Sequence, residues 1–104
     1  MAIVEIHPEC LREDLSAIQD RTVIAGILEK ISILKREPGF GKPLAGALLG
    51  HRRITYGRYR IVYRWDQSRN HVLVWYVGLR KEELYRAIES AARRRVRTAL
   101  RRFP

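Results

Sequence analysis

Between residues 37 and 50 the chain carries Pro38, Gly39, Gly41, Pro43, Gly46 and Gly50. Proline has no backbone N–H and glycine loses the most conformational freedom on ordering, so neither a long helix nor a central strand runs through such a stretch. It separates two periodicities. Before it, apolar residues recur every three or four positions; after it, every second position. The stretch is too short and too apolar for a solvated linker, so it reads as a loop inside one domain spanning residues 1–104.

Residues 2–7 read as a short strand, and Pro8 suits the first turn of a following helix, where its missing N–H would lack a partner anyway. That helix would carry Leu11, Leu15 and Ile18 on one face. Asp20 can cap a second helix, whose stripe of Val23, Ile24, Ile27, Leu28, Ile31 and Leu34 follows the 3.6-residue period to about residue 36. The second half opens with predicted strands at 51–56, 59–65 and 71–79. The first two are joined by a tight turn at Gly57-Arg58, so the three form a meander. From 82 to 102, Leu84, Ile88, Ala92, Val96 and Leu100 lie on a narrow stripe among arginines and predict a basic amphipathic helix. It would dock on the sheet through Leu84, Ile88 and Val96 with its arginines in solvent, where they would steer RNA phosphates. The element order is β-α-α-β-β-β-α. This is an α+β fold, a small antiparallel-rich sheet with a helical hairpin on one face and a C-terminal basic helix.

Residues 1–50 hold 6 Lys and Arg against 7 Asp and Glu, whereas residues 51–104 hold 15 against 4. Fourteen of those 15 cations are arginine, whose planar fork makes bidentate phosphate contacts and stacks on bases. A polyanionic partner follows. Cys10 has no second cysteine to pair with. His7, His51 and His71 are too far apart, and lack companion thiols, to suggest a zinc site. No apolar run is long enough to span a bilayer and no leader pattern opens the chain, so a soluble cytoplasmic protein without a membrane partner is expected.

Three runs of residues carry a family resemblance. They are Gly41-Lys42-Pro43-Leu44-Ala45-Gly46-Ala47-Leu48-Leu49-Gly50-His51-Arg52-Arg53-Ile54, then Gly57-Arg58-Tyr59-Arg60-Ile61-Val62-Tyr63-Arg64, then Val77-Gly78-Leu79-Arg80 followed by Tyr85. In this order and spacing the chain resembles the RelE/ParE superfamily of toxins from type II toxin–antitoxin pairs. The resemblance implies a microbial RNase-like fold. RelE-like members cut mRNA at the ribosome without a metal or other cofactor, and ParE-like members poison DNA gyrase through protein contact. The expected partners are a cognate antitoxin, the ribosome with its mRNA, and operator DNA through the antitoxin complex. Fold alone does not choose between the two activities.

Metal-free RNA cleavage requires removal of the 2′-hydroxyl proton, stabilisation of a negatively charged phosphorane, and protonation of the leaving oxygen. By resemblance, Arg60 matches the arginine of a Tyr-Arg-x-x-Tyr motif and Arg80 the arginine closing the last strand. Both are electrostatic candidates, because a guanidinium titrating above about 12 is no base. Tyr85 lies near a C-terminal tyrosine that acts in RelE-like enzymes, and His51 is the imidazole nearest the cleft segment; these are the proton-transfer candidates. Arg52, Arg53, Arg58 and Arg64 are the RNA-binding candidates. Thr55 stands where a second cation of the first meander strand is expected, which leans toward the ParE-like alternative. A structural ion pair for Arg60 and a packing role for Tyr85 stay open. Tyr63, Trp65, Trp75 and Tyr76 alternate along strands and are expected in the core rather than stacked on bases.

Overall fold

A computed structural model describes residues 1–79, 88 and 90–96. Five strands form one mixed sheet: β1 (Ile3–Ile6), β2 (Lys42–Pro43), β3 (His51–Tyr56), β4 (Tyr59–Asp66) and β5 (His71–Leu79), in the spatial order β1-β5-β4-β3-β2. β1 runs parallel to β5 and the remaining pairs are antiparallel. The predicted meander is therefore present. Its first turn has Gly57 at φ +56, a left-handed conformation that glycine adopts without a Cβ clash. The extra strand, β2, lies inside the segment expected to be loop. It is only two residues long and sits at the sheet edge, where proline is tolerated.

One face of the sheet packs against helix α1 (Arg21–Ile33) and the segment before it. Asp20 caps α1 as expected, its carboxylate accepting from the Thr22 and Val23 N–H groups at 2.9 and 3.4 Å. Ile27, Ile31 and Leu34 are buried against Ile54, Ile61, Tyr63, Val72, Val74 and Val77. Leu28 departs from the predicted stripe and is 42% exposed. The preceding segment differs more. Cys10–Leu15 is π-helical rather than an ordinary α-helix. π-helical hydrogen bonds join residues five apart, so Cys10 and Leu15 both turn into the core while Leu11 is left 47% exposed.

The opposite face carries a second, smaller core of Leu48, Val62, Leu73, Trp75, Ile88 and Ala91, with Ala92 and Val96 packed on it. The helical residues 90–96 thus dock on the sheet as the amphipathic pattern predicts, on the side away from α1. Between β4 and β5 the register shifts at Val62/Tyr63: Val62 pairs with Tyr76 and Tyr63 with Val74. Trp75 is the additional residue of a β-bulge, and a bulge re-aims the side chains around it. Trp75 and Tyr76 consequently both belong to the second core, where strict alternation would have separated them.

Candidate nucleic-acid interface

The pairing of β3, β4 and β5 decides which cations meet. Thr55 is opposite Arg60, Arg53 opposite Val62, and His51 opposite Arg64; on β5, Gly78 is opposite Arg60. Val62 lies in the second core, and side chains of a strand alternate between faces. Arg53, Thr55, His51, Arg60 and Arg64 therefore share the face away from α1, with Lys42 joining them across from Arg53. Arg64 is exposed, Arg53 half-buried, and Arg60 only 6% exposed. The Arg60 guanidinium donates from Nη1 to the Tyr59 carbonyl at 3.2 Å. A charge so far withdrawn from water is weakly screened and acts over a longer range than a surface cation.

Two RNA-binding candidates stand apart from this group. Arg52 has the opposite strand parity, and its Nη1 donates to the carbonyls of Gly39 and Gly41 at 3.2 and 2.9 Å. It braces the loop before β2. Tyr63 holds the same loop from beneath, donating its hydroxyl to the Pro38 carbonyl at 2.7 Å and accepting from the Gly41 N–H at 2.8 Å. A Cβ on Gly41 would sit 2.6 Å from the Tyr63 ring, so glycine is required by close approach. Arg58 is exposed in the β3–β4 turn. Arg80 and Tyr85 lie outside the described residues.

His51 is half-buried and its Nδ1 accepts a hydrogen bond from the Trp75 indole N–H at 3.0 Å. The two rings meet edge to face, with centroids 5.3 Å apart. Burial, and then the positive charge of Arg64, hold the imidazole below its ordinary pKa. Tyr76 lies over Gly78, where an added Cβ would be 2.4 Å from the phenol oxygen. Burial, followed by the nearby Asp14 carboxylate, raises the Tyr76 pKa, so it stays a neutral phenol. As expected for core aromatics, Tyr63 and Trp75 have no exposed surface.

Arg95 overturns an expectation. The arginines of the C-terminal segment were expected in solvent, yet Arg95 is 3% exposed. Its Nε donates to Glu9 at 3.2 Å, Nη2 to Glu13 and Asp14 at 2.8 and 3.1 Å, and Nη1 to Asp14 and the Trp75 carbonyl at 2.7 and 2.9 Å. Those five bonds use all five guanidinium N–H groups. Burial opposes its charge, but the bonds it donates to Asp14 and Glu13, with the Asp14 charge, outweigh that and raise its pKa. Arg94, more than half exposed, adds contacts to Glu9 and Glu13 at 3.1 and 3.7 Å. The hydrogen bond from Arg94 is the main reason the Glu9 pKa falls. The sequence signal for this cluster was available: Glu9 and Glu13 are four residues apart, next to Asp14, in the half of the chain with excess acid.

Among the described residues, no group of three or more His, Cys, Asp or Glu side chains is arranged to hold a metal ion, and no helix is long and apolar enough to cross a membrane.

The model of a family described as the ParE toxin of the type II toxin–antitoxin system parDE matches residues 4–85. Comparison with curated proteins gives no match. Among solved structures, the toxin–antitoxin complex RelBE2 from Mycobacterium tuberculosis contains a chain 31% identical over 76% of this chain and 98% of that one, with a TM-score of 0.68. An arginine-to-alanine double mutant of the E. coli toxin RelE in the free state is 22% identical, covering 90% of this chain and 98% of that one, with a TM-score of 0.70. The YoeB/ParE toxin from Agrobacterium tumefaciens is 21% identical, covering 76% and 99%, with a TM-score of 0.63. The last two likenesses concern the fold.

Proposed function

The chain belongs to the ParE toxin family of type II toxin–antitoxin systems, within the RelE/ParE superfamily, and we propose that it is a ribosome-dependent mRNA endonuclease that blocks translation. The observation that carries this reading is the convergence of Arg53, Arg60, Arg64 and His51 on one face of adjacent strands. Guanidinium groups bind phosphate bidentately, and preorganised cations in a partly dry site stabilise a phosphorane far better than solvated ones. Arg60 takes that role at the scissile phosphate, supported by its burial. Arg53 and Arg64 hold the flanking backbone, and Arg58 extends the cationic track at the turn. Arg80 is assigned as a second phosphate clamp and Tyr85 as the proton-transfer residue, both on the strength of the resemblance in their motif. A cognate antitoxin is the partner that restrains the toxin, in keeping with the toxin–antitoxin complexes among the similar structures. Operator DNA is reached through that complex.

The test is primer extension of a message on programmed ribosomes, comparing wild type with Arg60→Ala at equal fold content by circular dichroism. Codon-phased cuts that vanish in the variant support the endonuclease. A second reading, gyrase inhibition through protein contact, is favoured by one observation: Thr55, exposed directly opposite Arg60, puts a neutral hydroxyl on the cationic face. An intact message from the folded wild type, together with gyrase-dependent DNA breaks on expression, would select that reading instead.

A further inference from the structure

The bulge that turns Trp75 onto the cationic face gives that tryptophan a task beyond packing. Its side chain has no exposed surface, yet its indole N–H is aimed across the sheet at His51 Nδ1, 3.0 Å away. An indole N–H can only donate, so Nδ1 must accept, and the proton of the neutral imidazole lies on Nε2. The atom His51 offers to a ligand is therefore a neutral N–H donor, and the lone pair that a general base would need is already occupied.

We infer that Trp75 is a positioning residue that fixes His51 as its Nε2–H tautomer, making it a neutral hydrogen-bond donor to a backbone phosphate held beside Arg64. The inference rests on the RNA reading above for the identity of the ligand, but not for the tautomer. Protonating His51 would set an Nδ1–H against the Trp75 N–H, two donors face to face in a half-buried site. The charged groups around it act in the same direction. Arg64 is its cross-strand neighbour on β4, Arg53 lies two residues along β3 on the same face, and Lys42 stands across from Arg53. A fourth cation among these would be repelled. A neutral donor adds a phosphate contact without that repulsion, which explains why an imidazole kept uncharged suits this corner of the face.

The experiment is long-range nitrogen–proton NMR of the histidine rings in the full chain between pH 5 and 8. His51 should show Nε2 as the protonated nitrogen and titrate below the ordinary histidine value of about 6.5. Adding a short 2′-O-methylated RNA, which cannot be cleaved, should move the Nε2 resonance. In Trp75→Phe the tautomer should become mixed and the midpoint should rise. Because Trp75 is buried, His51 variants provide an independent arm. His51→Gln keeps an N–H donor near the position of Nε2 and should bind that RNA within about threefold of wild type, while His51→Ala should weaken it by up to about tenfold, the range of one neutral hydrogen bond. An Nδ1–H tautomer in the wild type, an ordinary midpoint, or equal losses in the glutamine and alanine variants would overturn the assignment. A protein that cuts no message but shows the Nε2–H tautomer and the RNA-induced shift would overturn the endonuclease and leave this assignment standing.

Discussion

Replacing Arg95 with methionine keeps most of its length and apolar stem while removing the group that five hydrogen bonds converge on. Truncating one partner of a buried ion cluster costs about 3–5 kcal/mol, because the groups left behind have lost water without keeping a partner. Here the carboxylates differ. Glu13 is 57% exposed and Glu9 22%, so both can be rehydrated. Asp14, 11% exposed, still accepts from the Val77 N–H at 2.9 Å, whereas the Trp75 carbonyl is left buried without its donor. The balance falls at the low end, about 3 kcal/mol. For a domain of this size that lowers Tm by roughly 12–24 °C, at about 4–8 °C per kcal/mol. Urea titration followed by tryptophan fluorescence, with calorimetry on the same samples, reads both quantities. Arg94→Met is the control: that residue is 55% exposed and touches two of the same carboxylates, Glu9 and Glu13, so its loss should stay below about 1 kcal/mol. An Arg95→Met protein within about 1 kcal/mol of wild type, or one no less stable than Arg94→Met, would refute the reasoning that burial of the fork is what matters.

Tyr63→Phe should lose about 1–3 kcal/mol in urea, since it leaves the buried Gly41 N–H and the Pro38 carbonyl without their hydroxyl. Asp20→Ala should lower stability by about 1 kcal/mol by removing the cap of α1, again by urea titration. Stability should also fall as pH drops from the ordinary histidine range toward the lower folded pKa of His51: the unfolded chain takes up a proton there that the folded one resists. Stability is then lost with acid rather than gained, and His51→Gln should flatten that part of the profile in pH-dependent melts.

The parts of the fold legible in the sequence are those fixed locally. Asp20 before an apolar 3.6-residue stripe gives α1, and Gly57-Arg58 between alternating runs gives the β3–β4 hairpin. Arg64 could be placed on one face with Arg60 by counting in twos, whereas Arg53 joins them only through the β3–β4 register; the core role of Tyr63 followed from its shared parity with Ile61. What escaped depends on distant contacts. Cys10–Leu15 widens to a π-helix where its first turn meets β5 and the C-terminal segment, and periodicity at 3.6 misplaces Leu11 as a result. The bulge at Trp75 is invisible to alternation, because the run from Val72 to Val77 is apolar at every position. Arg95 looks like any member of an arginine run until Glu9, Glu13 and Asp14 are brought to it from more than eighty residues away. Arg52 likewise becomes a loop brace only when Gly39 and Gly41 turn their carbonyls toward it.

The Arg95 cluster bears on self-association as well. β5 runs for nine residues but β1 accompanies only the first four, Val74 being the last with a partner in register. Beyond that point the outer side of β5 would ordinarily offer bare N–H and C=O groups, the template on which strands of neighbouring molecules add to one another. Two side chains stand in for the absent strand: Asp14 takes the Val77 N–H and Arg95 fills the Trp75 carbonyl. An invading strand would have to dismantle a buried ion cluster before making its first bond. The chain thereby resists edge-to-edge polymerisation on that side of the sheet without spending residues on a longer β1, and variants that dissolve the cluster should form fibrils or oligomers before they are half unfolded.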